Sequence, residues 1–270
     1  MKSPVKWPGG KATLLTRLSK HIPMEGDLFV EAFAGGCTVA LNTNYDHYII
    51  NDLNSDLIDM YKDMVNNRDL FLEKTLELFN KHNNSKDYYE IRVRFRSSVI
   101  GIERSAMFMY LNRHGFKGLV RYSKKSGFNV PFGGYKNPHF PEEEVIFFAE
   151  KFKSATFTNL SFIDLFKQYG DVKSPRATVF ADPPYLPLTK TAAFVNYTAE
   201  GFTKGEHVIL NSELNDVALT GGSGFLTNHK VSFIHEIYSD AKKSVGFKVK
   251  RSISAKAKRH KKASEVLLMY

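Results

Sequence analysis

Residues 28–52 read LFVEAFAGGCTVALNTNYDHYIIND and contain the pattern on which the fold depends. The apolar run 28–33 predicts a buried strand, and Ala34-Gly35-Gly36 predicts a tight turn after it. Residues 37–41 predict the start of a helix, and residues 48–52 predict a second strand with an acid at its end. This order of elements is typical of the first unit of a doubly wound α/β nucleotide-binding fold.

The glycine turn and the acid also indicate the kind of ligand. Glycines allow a backbone to approach a bound molecule closely, and a carboxylate such as that of Asp52 can accept hydrogen bonds from ribose hydroxyls. The turn lacks the Gly-x-Gly-x-x-Gly pattern of dinucleotide-binding proteins, which counts against NAD. The residues therefore favour an adenosine-bearing cofactor without selecting one.

A second stretch, Asp182-Pro183-Pro184-Tyr185, follows the apolar run 177–181, which predicts another buried strand. Each proline fixes its own φ and lacks an N–H, so the strand ends there in a stiff turn with few donors. The Asp182 carboxylate, a backbone carbonyl and the Tyr185 ring would then lie at the sheet edge where open α/β folds bind ligands. On local pattern alone, an ordinary surface turn explains these residues equally well.

Size and composition restrict the class of protein. The chain has 270 residues, 43% of them hydrophobic, which is enough for one large or two modest domains. No apolar run approaches the ~20 residues of a membrane span, the N-terminus lacks a signal-peptide core, and the single cysteine, Cys37, fits a reducing compartment. We therefore expect a cytoplasmic protein. A formal net charge of +10 favours a polyanionic partner.

Helical spacing of apolar residues interrupts the α/β pattern after residue 54. Three helices are predicted up to about Ser97 and a fourth around Tyr110, so this block reads as an inserted domain. Basic and aromatic residues then interleave over residues 112–136, where 123–127 predicts a hairpin turn. A two-stranded ribbon fits the major groove of DNA. A solvated basic hairpin is the alternative, and the net charge favours nucleic acid.

The α/β pattern returns after residue 142. Helices are predicted at 145–152, 162–167 and 205–219, and strands at 155–159, 224–229 and 265–270. Residues 186–200 predict an irregular flap. The stretch from Lys242 to Lys262 contains no Asp or Glu, which indicates a solvated or anion-bound surface, with a mobile loop opening at Arg251.

Several motifs occur in the order found in one enzyme family. They are Lys6-Trp7-Pro8-Gly9-Gly10-Lys11, Phe33-Ala34-Gly35-Gly36, Asp52, Tyr110-Leu111-Asn112-Arg113, Phe128-Asn129-Val130-Pro131-Phe132-Gly133, Asp182-Pro183-Pro184-Tyr185 and Arg251-Ser252-Ile253-Ser254. This set resembles the Dam-type DNA adenine methyltransferases over essentially the whole chain, in the alpha arrangement of amino-methyltransferases. The resemblance implies a Rossmann-like, doubly wound methyltransferase sheet in residues 1–55 and 143–270. It implies an inserted helical and β-hairpin target-recognition domain in residues 56–142.

The resemblance implies S-adenosylmethionine as the cofactor, S-adenosylhomocysteine as its product, and no metal. The cofactor-binding residues would be Trp7, Lys11, Phe33, Ala34, Gly35, Gly36, Asp52 and Asp182. The catalytic residues would be Asp182, Pro183, Pro184 and Tyr185, which hold the exocyclic amine and ring of a flipped adenine for direct methyl transfer. Cys37 opens a predicted helix and is expected to be a packing residue, not the nucleophile that methylation of the cytosine ring requires.

The resemblance also implies a partner, duplex DNA containing 5′-GATC-3′. It implies a monomeric, nucleoid-associated protein, of which more than one copy can bind the same DNA. The DNA-binding residues would be Lys6, Asn112, Phe116, Lys117, Leu119, Arg121, Pro131 and Tyr135. Lys117 stands where the family commonly has Asn, and Gly134 where an Arg occurs. The alternatives are an inactive DNA-binding protein on the same scaffold and an amino-methyltransferase with another target. The intact Asp182–Tyr185 motif favours an active adenine enzyme.

Overall fold

The computed structural model describes residues 1–188, 202–249 and 263–270. The strands are β1 (Glu25–Glu31), β2 (Asn44–Asn51), β3 (Tyr122–Ser123), β4 (Gly127–Phe128), β5 (Thr156–Thr158), β6 (Ala177–Ala181), β7 (Ser223–His229), β8 (Lys243–Val249) and β9 (Ala263–Met269). The helices are α1 (Leu15–Leu18), α2 (Ser55–Asn66), α3 (Arg68–Lys81), α4 (Ser85–Ser97), α5 (Ile102–His114), α6 (Glu142–Lys151), α7 (Phe162–Gln168), α8 (Lys204–Leu219) and α9 (Ile234–Ile237). Most of the predicted flap, and the loop predicted at Arg251, lie outside the described residues.

The predicted α/β class is confirmed by a mostly parallel seven-stranded sheet. Six of its strands run in the order β2-β1-β6-β7-β9-β8, and β5 is the seventh. Strands β2, β1, β6 and β7 are parallel, and β9 is antiparallel to both of its neighbours. The chain therefore moves outward from β1 to β2 on one side and from β6 to β7 on the other. The carboxyl ends of β1 and β6 mark the switch point where such sheets bind ligands.

The chain divides into two compact units. The first comprises residues 1–13, 34–42 and 52–159, and the second comprises residues 14–33, 43–51 and 160–270. Helices α2 to α6, the β3–β4 hairpin and β5 fall in the first unit, and the other six strands of the sheet fall in the second. The division predicted from the sequence, with boundaries near residues 55 and 142, stays a prediction.

Helix α5 is the centre of the first unit. Every residue from Ser105 to His114 is buried, which is expected of a helix surrounded by others. Helices α2, α3 and α4 pack against it, as does the hairpin through the Phe95, Phe108 and Phe128 rings. The apolar spacing predicts these helices, and the turn at residues 123–127 predicts the hairpin. None of the helices in the described parts of the chain is long and apolar enough to cross a membrane.

One local prediction is wrong in detail, and one strand is additional to those predicted. The helix expected at residues 37–41 is only a 3-10 turn, Ala40–Asn42, because Cys37 has a left-handed φ of +53° that an α-helix does not accommodate. Cys37 is nevertheless fully buried, as expected of a packing residue. The lysine-rich stretch after residue 242 begins with β8, a strand at the edge of the sheet. Exposed lysines are a common feature of edge strands because they oppose pairing with other chains.

Candidate active site and nucleic-acid interface

Three groups hold the glycine turn around Gly35. The N–H of Gly35 donates to Oδ2 of Asp52 at 2.8 Å, and the Tyr61 hydroxyl donates to the Gly35 carbonyl at 2.5 Å. Gly35 has a φ of +46°, and a Cβ added there would lie 2.7 Å from Cδ1 of Trp7. The turn therefore requires glycine both for its backbone conformation and for the closeness of the indole ring.

Asp52 keeps acceptor capacity for a ligand. Burial raises the pKa of Asp52 above its ordinary value, and backbone N–H groups, including those of Asn54 and Gly35, oppose this rise. The carboxylate accepts from the Asn54 N–H at 2.9 Å and from the Gly35 N–H, and the residue as a whole is partly exposed. Because a carboxylate offers about four lone-pair sites, acceptor sites remain for ribose hydroxyls.

The N-terminal motif folds back on itself beside this turn. The Gly10 N–H donates to the Trp7 carbonyl at 3.1 Å, and Nζ of the buried Lys11 donates to the Gly9 carbonyl at 2.6 Å. A Cβ added to Gly36 would lie 3.3 Å from Cβ of Trp7. The first unit thus brings together most of the predicted cofactor residues, namely Trp7, Lys11, Ala34, Gly35, Gly36 and Asp52.

Phe33 belongs to the second unit, two residues beyond β1. Its ring contacts Phe162 and Phe202, each with a centroid distance of 5.6 Å. The Ala32 N–H before it donates to the Phe180 carbonyl of β6 at 3.0 Å. Phe33 and Asp182 therefore both follow neighbouring parallel strands at the carboxyl edge of the sheet.

The predicted catalytic segment, Asp182 to Tyr185, begins directly after β6. Asp182 accepts a hydrogen bond on Oδ1 from the Thr227 hydroxyl at 2.7 Å. Pro183 is buried, Pro184 is exposed, and Tyr185 is half-buried. The Tyr185 hydroxyl donates to Oε2 of Glu265 at 2.9 Å. Burial, with the nearby charges of Asp182 and Glu265, raises the pKa of Tyr185, so its hydroxyl stays protonated at neutral pH.

The end of β7 holds the segment from the other side. The Asn228 side-chain oxygen accepts from the Leu186 N–H at 2.9 Å, and Nδ1 of His229 donates to the Leu186 carbonyl at 2.7 Å. The His229 ring also lies edge-on to the Tyr185 ring, with a centroid distance of 4.9 Å. Asp182 to Leu186 is therefore a braced segment and not a free surface turn.

Four of the predicted DNA-binding residues are accessible on the first unit. Phe116 is 43% exposed, Arg121 and Pro131 are exposed, and Leu119 is half-buried. Arg121 donates from Nε to the Asn129 side-chain oxygen at 2.7 Å and from Nη2 to the Asn129 carbonyl at 3.3 Å. A guanidinium has five N–H donors, so three remain for a base edge.

A second group of predicted DNA-binding residues surrounds Lys6. Asn112 is fully buried and makes both of its hydrogen bonds to the Lys6 backbone, at 2.9 and 2.7 Å. Nζ of Lys6 lies 4.6 Å from the centroid of the Tyr135 ring, and the Tyr135 hydroxyl accepts from the Lys117 N–H at 2.9 Å. Asn112 thus orients Lys6, while DNA contact by these residues stays a prediction.

Two site residues escaped the sequence-based assignment. Tyr61 has the helical spacing of a packing residue, and nothing in its local sequence indicates the hydrogen bond to Gly35. Glu265 is the first acid after the long basic stretch, and that isolation is the only signal that singles it out. Both interactions depend on how distant parts of the chain are brought together.

The mostly parallel sheet with its switch point is consistent with the α/β fold of Rossmann-like methyltransferases, and a family comparison agrees. The family of D12 class N6 adenine-specific DNA methyltransferases matches residues 7–254. The chain belongs to this family and is an adenine-specific DNA methyltransferase.

Curated relatives cover nearly the whole chain. The "DNA adenine methylase" of Vibrio cholerae serotype O1 is 37% identical over 268 residues, which are 98% of this chain and 95% of the relative. The "DNA adenine methylase" of Escherichia coli K12 is 38% identical over 267 residues, 98% of this chain and 94% of the relative. The "Retron Ec67 DNA adenine methylase" of Escherichia coli is 37% identical over 271 residues, 99% of this chain and 90% of the relative.

Proposed function

We propose that the protein transfers a methyl group from S-adenosylmethionine to the exocyclic amine of adenine in 5′-GATC-3′ sites of duplex DNA, after flipping that base out of the helix. One observation carries the proposal: Asp182 follows β6 directly and has one carboxylate oxygen held by the Thr227 hydroxyl at 2.7 Å. A carboxylate oriented in this way at a switch point suits an acceptor for a nucleobase amine.

The chemistry explains why an acid and a proline carbonyl are needed. The adenine amine is a weak nucleophile because its lone pair is delocalised into the ring. Asp182 and the Pro183 carbonyl can each accept one amine hydrogen, which localises the lone pair on the nitrogen. The stiff, braced segment keeps these acceptors ready for the positive charge that develops there. Tyr185 is held by its hydroxyl and can stack its ring on the base.

The residues of the glycine turn fit S-adenosylmethionine. Gly35 lets the Trp7 indole lie directly against the turn, where its ring can border an adenosine-bearing ligand, and Asp52 retains acceptor sites for ribose hydroxyls. We assign cofactor binding to Trp7, Lys11, Phe33, Ala34, Gly35, Gly36, Asp52 and Asp182. When bound, the cofactor supplies a methyl group on a sulfonium. No residue of the chain needs to form a covalent intermediate, which agrees with the burial of Cys37.

The accessible face of the first unit suits duplex DNA. An exposed aromatic such as Phe116 can enter the stack that a flipped base leaves, and basic contacts can offset the flipping cost of a few kcal/mol. We assign DNA contact to Phe116, Lys117, Leu119, Arg121, Pro131 and Tyr135, together with Lys6 and the Asn112 that orients it. The protein would act as a monomer in the cytoplasm, with several copies allowed on one DNA.

Labelled S-adenosylmethionine tests the proposal. The protein is incubated with duplexes that contain GATC or a scrambled site of the same composition. We expect label on the adenine amine of the GATC duplex only. Equal labelling of both duplexes would remove the specificity claim, and absence of label from both would refute the proposed reaction and favour an inactive DNA-binding protein.

Arg121→Ala is expected to relax recognition of one guanine in the site. A bidentate arginine–guanine contact contributes about 1–3 kcal/mol of discrimination, so the preference over a duplex with that guanine replaced should fall by roughly five- to 150-fold. The preference is measured as the ratio of kcat/KM values on the two duplexes. Arg94→Ala, which removes another exposed arginine, is the control and should change both values by the same factor. An unchanged preference in Arg121→Ala would mean that another residue reads the base.

A further inference from the structure

The braces of the catalytic segment come from two strands that the proposed chemistry does not otherwise use. We infer that Thr227 and Glu265 are positioning residues for the reaction: Thr227 orients the Asp182 carboxylate, and Glu265 orients the Tyr185 ring. The inference rests on the proposed roles of Asp182 and Tyr185. Neither Thr227 nor Glu265 needs to touch the base or the cofactor.

Strand register explains why Thr227 meets Asp182. Strands β6 and β7 are parallel, and Ala181 pairs with Leu226. The next residues along the two strands are Asp182 and Thr227, so the hydroxyl and the carboxylate become neighbours at the sheet edge. Thr227 is fully buried, and its hydroxyl donates to Oδ1 of Asp182 at 2.7 Å. This hydrogen bond from a fixed strand restricts rotation of the carboxylate about the Cβ–Cγ bond.

This restriction matters because of what the acceptor must do. The amine nitrogen becomes positive only as the methyl group is transferred, so an acceptor aimed at it stabilises the transition state more than the bound base. A carboxylate that rotates freely would have to be ordered during that step. Loss of the Thr227 hydroxyl should therefore lower kcat much more than it raises KM for DNA.

Glu265 reaches Tyr185 through the other strand pairing. Strand β9 is antiparallel to β7, and its Glu265 pairs with His229. His229 lies edge-on to the Tyr185 ring, and Glu265 accepts from the Tyr185 hydroxyl at 2.9 Å. The ring is therefore held at its tip by Glu265 and along one side by His229. Because the hydroxyl is bonded to Glu265, Tyr185 contributes its ring and not a proton.

Thr227→Val tests the first half of the inference, since it removes the hydroxyl and keeps the shape. A hydrogen bond to a charged group is worth about a ten- to hundredfold effect, so kcat should fall by about that factor. KM for DNA and the Kd of S-adenosylmethionine should change less than about threefold, and Thr227→Ser should restore kcat. The control is Thr178→Val, the same change at a buried threonine near the start of β6, which should leave kcat unchanged. If Thr227→Val fails to fold, Thr227→Ala removes the same hydroxyl and has the same expectation.

A double-mutant cycle tests the second half. Glu265→Ala and Tyr185→Phe each remove one partner of the same hydrogen bond, so each should lower kcat by a similar factor. The double variant should be no slower than the slower single variant, and Glu265→Gln, which keeps an acceptor oxygen, should restore most of kcat. If the reduction of kcat in the double variant equals the product of the two single reductions, the positioning role of Glu265 is overturned.

Two outcomes separate this inference from the proposed function. The rates are measured on whichever adenine-containing duplex the wild-type protein methylates, so failure of GATC specificity leaves the test intact. Transfer by Asp182→Ala at more than about one tenth of the wild-type rate would overturn both the proposed role of Asp182 and the inference. Wild-type kcat in Thr227→Val, or equal losses in Thr227→Val and Thr227→Ser, would overturn the role of Thr227 alone.

Discussion

Asp182→Ala is expected to abolish methyl transfer while DNA binding and its salt dependence persist. The substitution removes the acceptor that we place against the adenine amine, and loss of one such group lowers kcat by about a hundred- to thousandfold. The basic residues that contact the DNA backbone in our proposal are unaltered. Single-turnover transfer of label to a GATC duplex gives the rate, and a binding titration at several salt concentrations gives the affinity.

Two further variants make this result specific. Asp182→Asn keeps the shape and one acceptor oxygen but removes the charge, so it should retain more activity than Asp182→Ala. Asp171→Ala removes an exposed acid of the same unit and should leave the rate unchanged. Transfer by Asp182→Ala at more than about one tenth of the wild-type rate would contradict the assigned role.

Gly35→Ala is expected to destabilise the first unit and to weaken binding of S-adenosylmethionine. A left-handed φ of +46° costs a residue with a Cβ roughly 1–2 kcal/mol. The new Cβ would also lie 2.7 and 2.8 Å from Cδ1 and Nε1 of Trp7, and such overpacking costs about 1–3 kcal/mol. The free energy of unfolding should therefore fall by roughly 2–5 kcal/mol. Denaturant titration measures this change, and calorimetry measures cofactor affinity.

Gly134→Ala is the matched control for this prediction. Gly134 also has a left-handed φ, +68°, but no atom lies within 4 Å of the position of an added Cβ. Gly134→Ala therefore introduces the strain of a left-handed φ without a steric clash of the new Cβ, and it should keep the affinity for S-adenosylmethionine. Equal losses of stability in the two variants would show that the approach of Trp7 to Gly35 is not tight, and unchanged cofactor affinity in Gly35→Ala would contradict the assigned site.

Much of the fold follows from local pattern because its central elements are apolar and regular. The run 177–181 reads as a buried strand, and all five residues of β6 are buried. The spacing of Leu57, Met60, Tyr61 and Met64 predicts α2, and these residues are buried. A strand buried on both faces has a continuous apolar sequence, and a helix packed on one face has apolar residues at helical spacing. Both elements can therefore be predicted without knowledge of the rest of the chain.

Backbone conformations that depend on contacts with other parts of the chain could not be predicted from the sequence. The local sequence predicts that Cys37 begins a helix, but its φ of +53° is incompatible with one. Cys37 instead belongs to a turn in which its N–H donates to the Ala34 carbonyl at 2.6 Å. Strand β8 has a lysine-rich sequence with little sign of a strand. Its pairing with β9 gives it this conformation, and burial of Phe247 contributes. In both cases packing with the surroundings overrides local preference.

Local pattern is enough to predict the α/β class, the helices α2 to α5, the hairpin and the chemical types gathered in the Asp182–Tyr185 motif. Which side chains support these elements depends on how distant parts of the chain pack together. Asn112 holds Lys6 across 106 positions, and Glu265 holds Tyr185 across 80. Such pairs depend on strand register and helix packing. A change of register by one residue would bring different side chains together. Local pattern records which residues can be buried, whereas long-range register decides which of them meet.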